Sequence, residues 1–360
     1  MNRVYNFFAG PSTLPLEVLQ KMEKDFVNYQ GSGLSLIETS HRSKEYDLVH
    51  NRAVELTKEL LGITDSHTVM MLQGGATMQF GMIPMNLLHS DRFAAYINTG
   101  AWAKKAIADA RKVGNVEVIW DGADNKYMSL PAISELQIPG EATYLHLTSN
   151  ETIGGIQWQE WPDTDVPIVA DMSSDIMSRP LPMEKFGIVY AGAQKNLAPA
   201  GMTLVIMRND MLDKCASNLT AYLSYKTHAP KNSLYNTPPV FTIWAFANVL
   251  EWVKENGGLE GMAVRAAEKA ATLYGAIDDS DGFYRCPVDA GVRSKMNVVW
   301  RLPTEELEAQ FIAQAKGVGM LGLKGHRDVG GCRASIYNAM PPSGVAALAQ
   351  FMQDFRRNNG

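Results

Sequence analysis

The chain has 360 residues, 46% of them hydrophobic and 20% charged, a balance that excludes a disordered protein and suits a soluble globular enzyme. Its 33 Lys and Arg against 38 Asp and Glu leave a net charge of −5, which argues against a nucleic-acid-coating or basic membrane-surface protein. At about 150 residues per domain, the length suggests two domains.

The first helix is expected after Ser12-Thr13-Leu14-Pro15, with Leu16, Leu19, Met22, Phe26 and Tyr29 at helical spacing. A second follows Ser43, with Tyr46, Val49, Ala53, Leu56 and Leu60 on one face and Gly62 just beyond its end. The chain then alternates. Strands are predicted at 68–72, 93–98, 116–120, 143–147, 168–171, 188–191 and 203–207, with helices at 77–88 and 102–113. Strands that alternate with helices predict an α/β fold, a mostly parallel central sheet covered on both faces. A helical region from Pro238 to Ile277, broken at Gly257-Gly258, changes the rhythm. Beyond it come strands at 296–302 and 333–337 and helices at 304–316 and from Pro341, enough for a smaller C-terminal α/β domain. The boundary is placed near residue 260: residues 16–260 form the large domain, and 261–360 the small one.

Three scattered cysteines, Cys215, Cys286 and Cys332, exclude a disulfide framework or zinc ribbon and fit a reducing cytoplasm. Seven histidines include no H-x-x-x-H pair, so no metal site is expected. No apolar stretch is long enough to span a bilayer, and no signal peptide is apparent. Gly317-Val-Gly-Met-Leu-Gly322 matches the dinucleotide pattern G-x-G-x-x-G, the basis of a nicotinamide oxidoreductase reading. It closes a helix instead of opening one, so Gly317 reads as a C-cap.

Gln73-Gly-Gly-Ala-Thr77 lies between a strand and a helix, where backbone N–H groups and the helix dipole can receive a phosphate. Asp171 ends a buried strand, and Lys195 follows another, 24 residues on. A carboxylate, a lysine and a phosphate cup at one sheet edge are what pyridoxal phosphate requires: a pyridinium partner, a Schiff-base lysine and an anion site. Trp102 offers a flat face for the ring.

In sequence order, Asn6-Phe-Phe-Ala-Gly-Pro11, Ser40-His-Arg-Ser-Lys-Glu45, Ala191-Gly-Ala-Gln-Lys-Asn196, Pro199-Ala-Gly201, Tyr235-Asn-Thr-Pro-Pro239, Lys324-Gly-His-Arg327 and 330–341 complete a recognisable text. The chain resembles the class V aminotransferases, pyridoxal-phosphate enzymes of fold type I, and among them those acting on phosphoserine. The resemblance implies a homodimer that moves an amino group between O-phospho-L-serine and 2-oxoglutarate in serine biosynthesis. It extends to 4-phosphohydroxy-L-threonine in pyridoxine biosynthesis. It implies Lys195 as the Schiff-base lysine, Asp171 as partner of the pyridine nitrogen and Trp102 as the stacking residue. Thr152 would bond the ring's phenolic oxygen, while Gly75, Ala76, Thr77 and Gln194 would line the phosphate cup. Asn236 and Thr237 would reach the neighbouring subunit's cofactor phosphate. Arg333 would hold the substrate carboxylate, and His41, Arg42, His326 and Arg327 its phosphate. It also assigns residues 1–15 to the small domain. Some members carry an arginine in the glycine turn where this chain has Thr77, one cation fewer on the substrate side. A desulfurase of the same fold would need a mobile cysteine nucleophile, for which Cys332 is the nearest candidate.

Overall fold

Ten residues separate the end of one central strand, Gly192, from the start of the next, Thr203. So short a link returns the chain antiparallel, because a parallel partner needs a crossover of about a dozen residues or more. The computed structural model, which describes residues 3–89 and 91–360, shows that consequence in an otherwise parallel sheet.

The elements in chain order are α1 (Leu16–Asp25), α2 (Lys44–Leu61), β1 (His67–Leu72), α3 (Gly75–Leu87), β2 (Phe93–Asn98), α4 (Ala101–Ala110), β3 (Asn115–Asp121), β4 (Leu145–Thr148), β5 (Ile168–Asp171), β6 (Phe186–Gly192) and β7 (Thr203–Arg208). There follow α5 (Val240–Glu255), α6 (Gly258–Asp278), β8 (Asn297–Trp300), α7 (Glu305–Gly317), β9 (Cys332–Ser335) and α8 (Pro342–Asn359). The main sheet runs β1-β7-β6-β5-β4-β2-β3, with β7 antiparallel to both neighbours and all other pairs parallel. Thr148, Asp171 and Tyr190 lie in register across β4, β5 and β6, so Asp171 stands at the carboxyl edge of the sheet.

Both faces of the sheet are covered. Leu56, Ile206, Phe246 and Leu250 belong to the core on the α2 and α5 side. Phe80, Ile83, Ile107 and Tyr190 belong to the core on the α3 and α4 side. Ser43 caps α2 by accepting from the Tyr46 N–H, and Gly62 closes it with φ of 62°. In α1 the buried side chains are Val18 and Met22, whereas Leu16, Leu19 and Phe26 of the expected stripe are exposed, and the helix ends at Asp25. Met22 and Tyr29 of that stripe are buried, so the inward face overlaps the expected one only in part.

A separate core joins Phe7 to Leu273, Trp300, Phe311, Leu348 and Phe355. Helix α6 runs from one core to the other: Leu259 and Met262 pack in the first, Ala270, Leu273 and Ile277 in the second. Strand Tyr5–Asn6 pairs parallel with Met320–Leu321, tying the N-terminal segment to the C-terminal core. Gly317 is the last residue of α7, not its left-handed cap; Val318 follows it and Gly319 takes φ of 82°. Gly322, at φ of 86°, is where the N-terminal segment crosses, and a Cβ there would lie 2.5 Å from Phe8 N and 2.9 Å from Phe8 Cα. Gly322→Ala is therefore expected to destabilise the protein by at least the roughly 1–3 kcal/mol of a strained backbone position. Urea unfolding of variant and wild type checks this; an unchanged midpoint contradicts it.

Candidate active site

Ligands of open α/β sheets bind at the carboxyl ends of the strands, and there this chain gathers its buried charges. Asp171 ends β5 and is buried; its Oδ1 accepts from the Ser173 amide at 2.9 Å and hydroxyl at 2.6 Å, and no hydrogen bond among the described residues reaches Oδ2. Lys195 follows β6 in the loop to β7. Its Nζ donates to Thr152 Oγ1 at 2.6 Å and lies 4.7 Å from the centre of the Trp102 ring, which the first turn of α4 presents. The Thr152 carbonyl accepts from Arg333 Nη1 at 3.2 Å, so β9 reaches the same spot. The N-terminal segment braces the loop: Ser12 N donates to Gln194 O at 3.0 Å, and the Ser12 hydroxyl bonds the Lys195 carbonyl.

Burial pushes the Lys195 amine below its ordinary range, and Arg333 adds to this, while Asp171 and Glu151 pull it back up. Burial likewise raises the Asp171 carboxyl, against the pull of Lys195 and the Ser173 hydrogen bonds. Glu151 is the group that the sequence reading misses. It is buried, accepts from the backbone N–H groups of Trp102 at 3.1 Å and Ala103 at 2.9 Å, and is raised to about 7, chiefly by burial. A glutamate in Asn150-Glu-Thr152 reads as an ordinary polar residue; its neighbour Thr152 and the tryptophan across from it are the available signal.

At the other end, Gly74 and Gly75 take φ of 96° and 67° and open α3, whose first N–H groups have no acceptor within the helix. The Gln194 side chain adjoins this turn: a Cβ on Gly192 would stand 2.9 Å from its Oε1 and 3.5 Å from Ala76 N. Thr77 is exposed. Asn236 donates to Gln73 at 3.1 Å beside the turn, and Thr237 is exposed.

These groups fit pyridoxal phosphate. The free Oδ2 of Asp171 suits a protonated ring nitrogen, Trp102 gives a ring face, Lys195 an amine and Thr152 a polar partner. The N–H groups of 75–77 suit an anion.

His326 and Arg333 line a cavity of about 290 Å³ with Tyr127, Ile153 and Val299. His326 and Arg327 both pair with Asp328, at 3.3 and 3.5 Å, and Arg327 is exposed. His41 and the exposed Arg42 lie in the turn before α2; neither lines that cavity. Cys332 is buried in β9, and burial pushes its thiol far up.

Behind Asp171, His146 on β4 bonds the Tyr190 hydroxyl on β6 at 2.8 Å and stacks on Tyr96. Burial drops its pKa from 6.5 to about 3, so it stays neutral in the fold but takes a proton on unfolding in acid. A depressed folded-state value means stability present above about pH 6.5 and lost as pH falls towards 3. Relative to His146→Asn, the wild type is expected to lose up to about 1.4 kcal/mol more per pH unit across that window. Denaturant titrations between pH 7 and 4 measure it, and parallel slopes contradict it.

The family model for aminotransferase class-V matches residues 4–348. The chain is 52% identical over 357 residues to a phosphoserine aminotransferase of Geobacillus kaustophilus, covering 99% of each. It is similar to the solved phosphoserine aminotransferase of Bacillus circulans subsp. alkalophilus, with TM-score 0.98, 50% identity and 99% of each chain covered. The pyridoxal-phosphate-bound phosphoserine aminotransferase of Trichomonas vaginalis superposes with TM-score 0.93 at 35% identity, covering 98% of this chain and 100% of that one.

Proposed function

We propose, on the premise that this chain belongs to the class-V aminotransferases, that it moves an amino group from O-phospho-L-serine to 2-oxoglutarate, or back, with pyridoxal 5′-phosphate as cofactor. The observation that carries this reading is the meeting of the Lys195 amine, the unshared Asp171 Oδ2 and the Trp102 face at one sheet edge. The bound cofactor supplies the carbonyl that takes up the substrate amine and a conjugated ring that accepts the electrons of the broken Cα–H bond.

Each role rests on local physics. Lys195, kept toward neutral by burial, holds the cofactor and, once displaced by the substrate amine, carries the proton between the substrate α-carbon and the cofactor. Asp171 holds the proton on the ring nitrogen, Trp102 covers the ring and Thr152 bonds its phenolic oxygen. The turn at Gly75, Ala76 and Thr77, with Gln194, takes the phosphate. Arg333, fixed by the Thr152 carbonyl, takes the carboxylate common to both substrates. Residues 16–260 serve as the cofactor-binding domain, and 261–360 with 1–15 as the smaller domain that carries Arg333 and His326. Among the described residues no helix is long and apolar enough to cross a membrane, and the three cysteines are free. The cytoplasm is the proposed location, where cell fractionation is expected to find the enzyme.

Purified protein given pyridoxal phosphate is expected to turn yellow, to lose that band on borohydride reduction and to lose it differently on adding phosphoserine, as 2-oxoglutarate restores it. Lys195→Ala is expected to bind the cofactor without a reducible bond and to lose at least the roughly 10²–10⁴-fold of a general acid–base group. A reducible bond to another lysine in that variant overturns the assignment; a wild type that transfers nothing from phosphoserine overturns the substrate.

Among the described residues neither His41 nor Arg42 bonds to the Lys195 group of its own chain, Arg42 is exposed with its N–H on Ser40 Oγ, and Leu16, Leu19, Val27 and Leu48 leave apolar surface exposed. These observations support a homodimer in which Arg42 serves the neighbour's site, the arrangement that the family resemblance implies for Asn236 and Thr237. Mixing Lys195→Ala with Arg42→Ala chains and letting subunits exchange is expected to restore activity above that of either variant, because one site of each hybrid is complete. No recovery in exchanged hybrids rules the shared site out.

A further inference from the structure

Helix α4 carries Trp102 in its first turn, yet its N-cap is Gly100, which has no side chain to bond the free N–H groups. The missing acceptor comes from another element. Glu151, in the two-residue strand Asn150–Glu151, accepts with Oε2 from Trp102 N at 3.1 Å and with Oε1 from Ala103 N at 2.9 Å. Gly100 makes room for it: a Cβ there would stand 2.8 Å from the carboxyl carbon and 3.0 Å from Oε2. The strand itself is fixed, since it pairs with Ile156–Gln157 and the Glu151 carbonyl accepts from Gly155 N at 2.8 Å. The next residue, Thr152, receives Lys195 Nζ at 2.6 Å and, through its carbonyl, Arg333 at 3.2 Å.

We propose that Glu151 is a positioning residue for the cofactor ring: its carboxylate caps α4 from outside the helix and so sets where the Trp102 indole lies relative to Lys195 and Thr152. Two residues in succession then hold the two sides of one slot, Glu151 the stacking face and Thr152 the lysine. A helix start without a cap frays in its first turn, and Trp102 sits in that turn. When ionised, the carboxylate also meets the positive end of the helix dipole. Burial of the group, 1% exposed, excludes the ordinary surface role of a glutamate.

The inference rests on pyridoxal phosphate being the cofactor, and the experiment separates the two. Equilibrium dialysis of apoprotein against pyridoxal phosphate gives a dissociation constant, and visible circular dichroism of the bound form reports how the ring is held. Wild type, Glu151→Gln, Glu151→Ala, Trp102→Ala and the Glu151→Ala/Trp102→Ala pair are compared, with thermal unfolding of each apoprotein. Glu151→Ala is expected to weaken binding about 3- to 10-fold, the range of an aromatic stack, and to lower the dichroism. Glu151→Gln, which keeps one acceptor oxygen, is expected to lie between it and the wild type and stands in its place should the alanine variant not fold. In the Trp102→Ala background, Glu151→Ala is expected to add little, because the loss already includes it. Unchanged affinity and dichroism in folded Glu151→Gln and Glu151→Ala overturn the proposal, as does a full additional loss in the double variant. Failure of the wild type itself to bind pyridoxal phosphate overturns the cofactor reading instead.

Discussion

Holding the half-buried Lys195 beside the buried carboxyls of Asp171 and Glu151 is the constraint around which this end of the molecule is arranged. A lone charge in such a place is costly unless it is paired and hydrogen-bonded. Each of the three has its own solution. Asp171 takes two hydrogen bonds from Ser173, whose hydroxyl also receives Gly192 N at 3.0 Å, so the turn after β5 and the end of β6 are fixed by the carboxylate they serve. Glu151 takes two from the start of α4, and Lys195 gives one to Thr152. Opposite charges pull against burial in all three, which limits how far burial shifts each group.

The same spot is where the two cores meet. Asn196, next to Lys195, donates to Ile176 O at 2.6 Å and accepts from Asn338 N at 3.0 Å, while Asn338 returns a bond to Met177 O at 2.7 Å. Lys269 of α6, buried among carbonyls, donates to Ile336 at 2.8 Å, Tyr337 at 2.5 Å and Met340 at 3.2 Å, holding the segment that carries Asn338. The Tyr337 hydroxyl reaches Ala9 O at 2.8 Å. Lys195 and Arg333 therefore come from different cores, and a short set of polar ties, not the sheet, fixes their separation.

Local pattern made most of the elements legible: the central strands, the capped helix after Ser43, and the Gln73–Thr77 turn are where the apolar runs and glycines put them. What local pattern could not carry was anything decided by a distant partner. The inward face of α1 depends on what packs against it, so Leu16 and Leu19 looked like core and are exposed. Glu151 looked ordinary because its partners lie 49 and 48 residues away. Arg42 is plain in the sequence as part of a basic, polar block, but among the described residues no bond ties it to Lys195. The glycines at 317 and 322 matched a dinucleotide turn by letter, whereas the space that a Cβ would need at Gly322 belongs to Phe8.

Burial acts in opposite directions on a thiol and an amine of this fold. At Cys332 it pushes the thiol up, away from the thiolate that attacks, and the strand pairing of β9 with β8 holds the residue opposite Trp300. At Lys195 the same desolvation pushes the amine down, towards the neutral form that attacks and moves protons. One physical effect thus disfavours the thiolate at Cys332 and favours the neutral amine at Lys195, since a thiol must become charged to react and an ammonium must lose its charge. The carboxylates near Lys195 pull the other way and limit how far that goes.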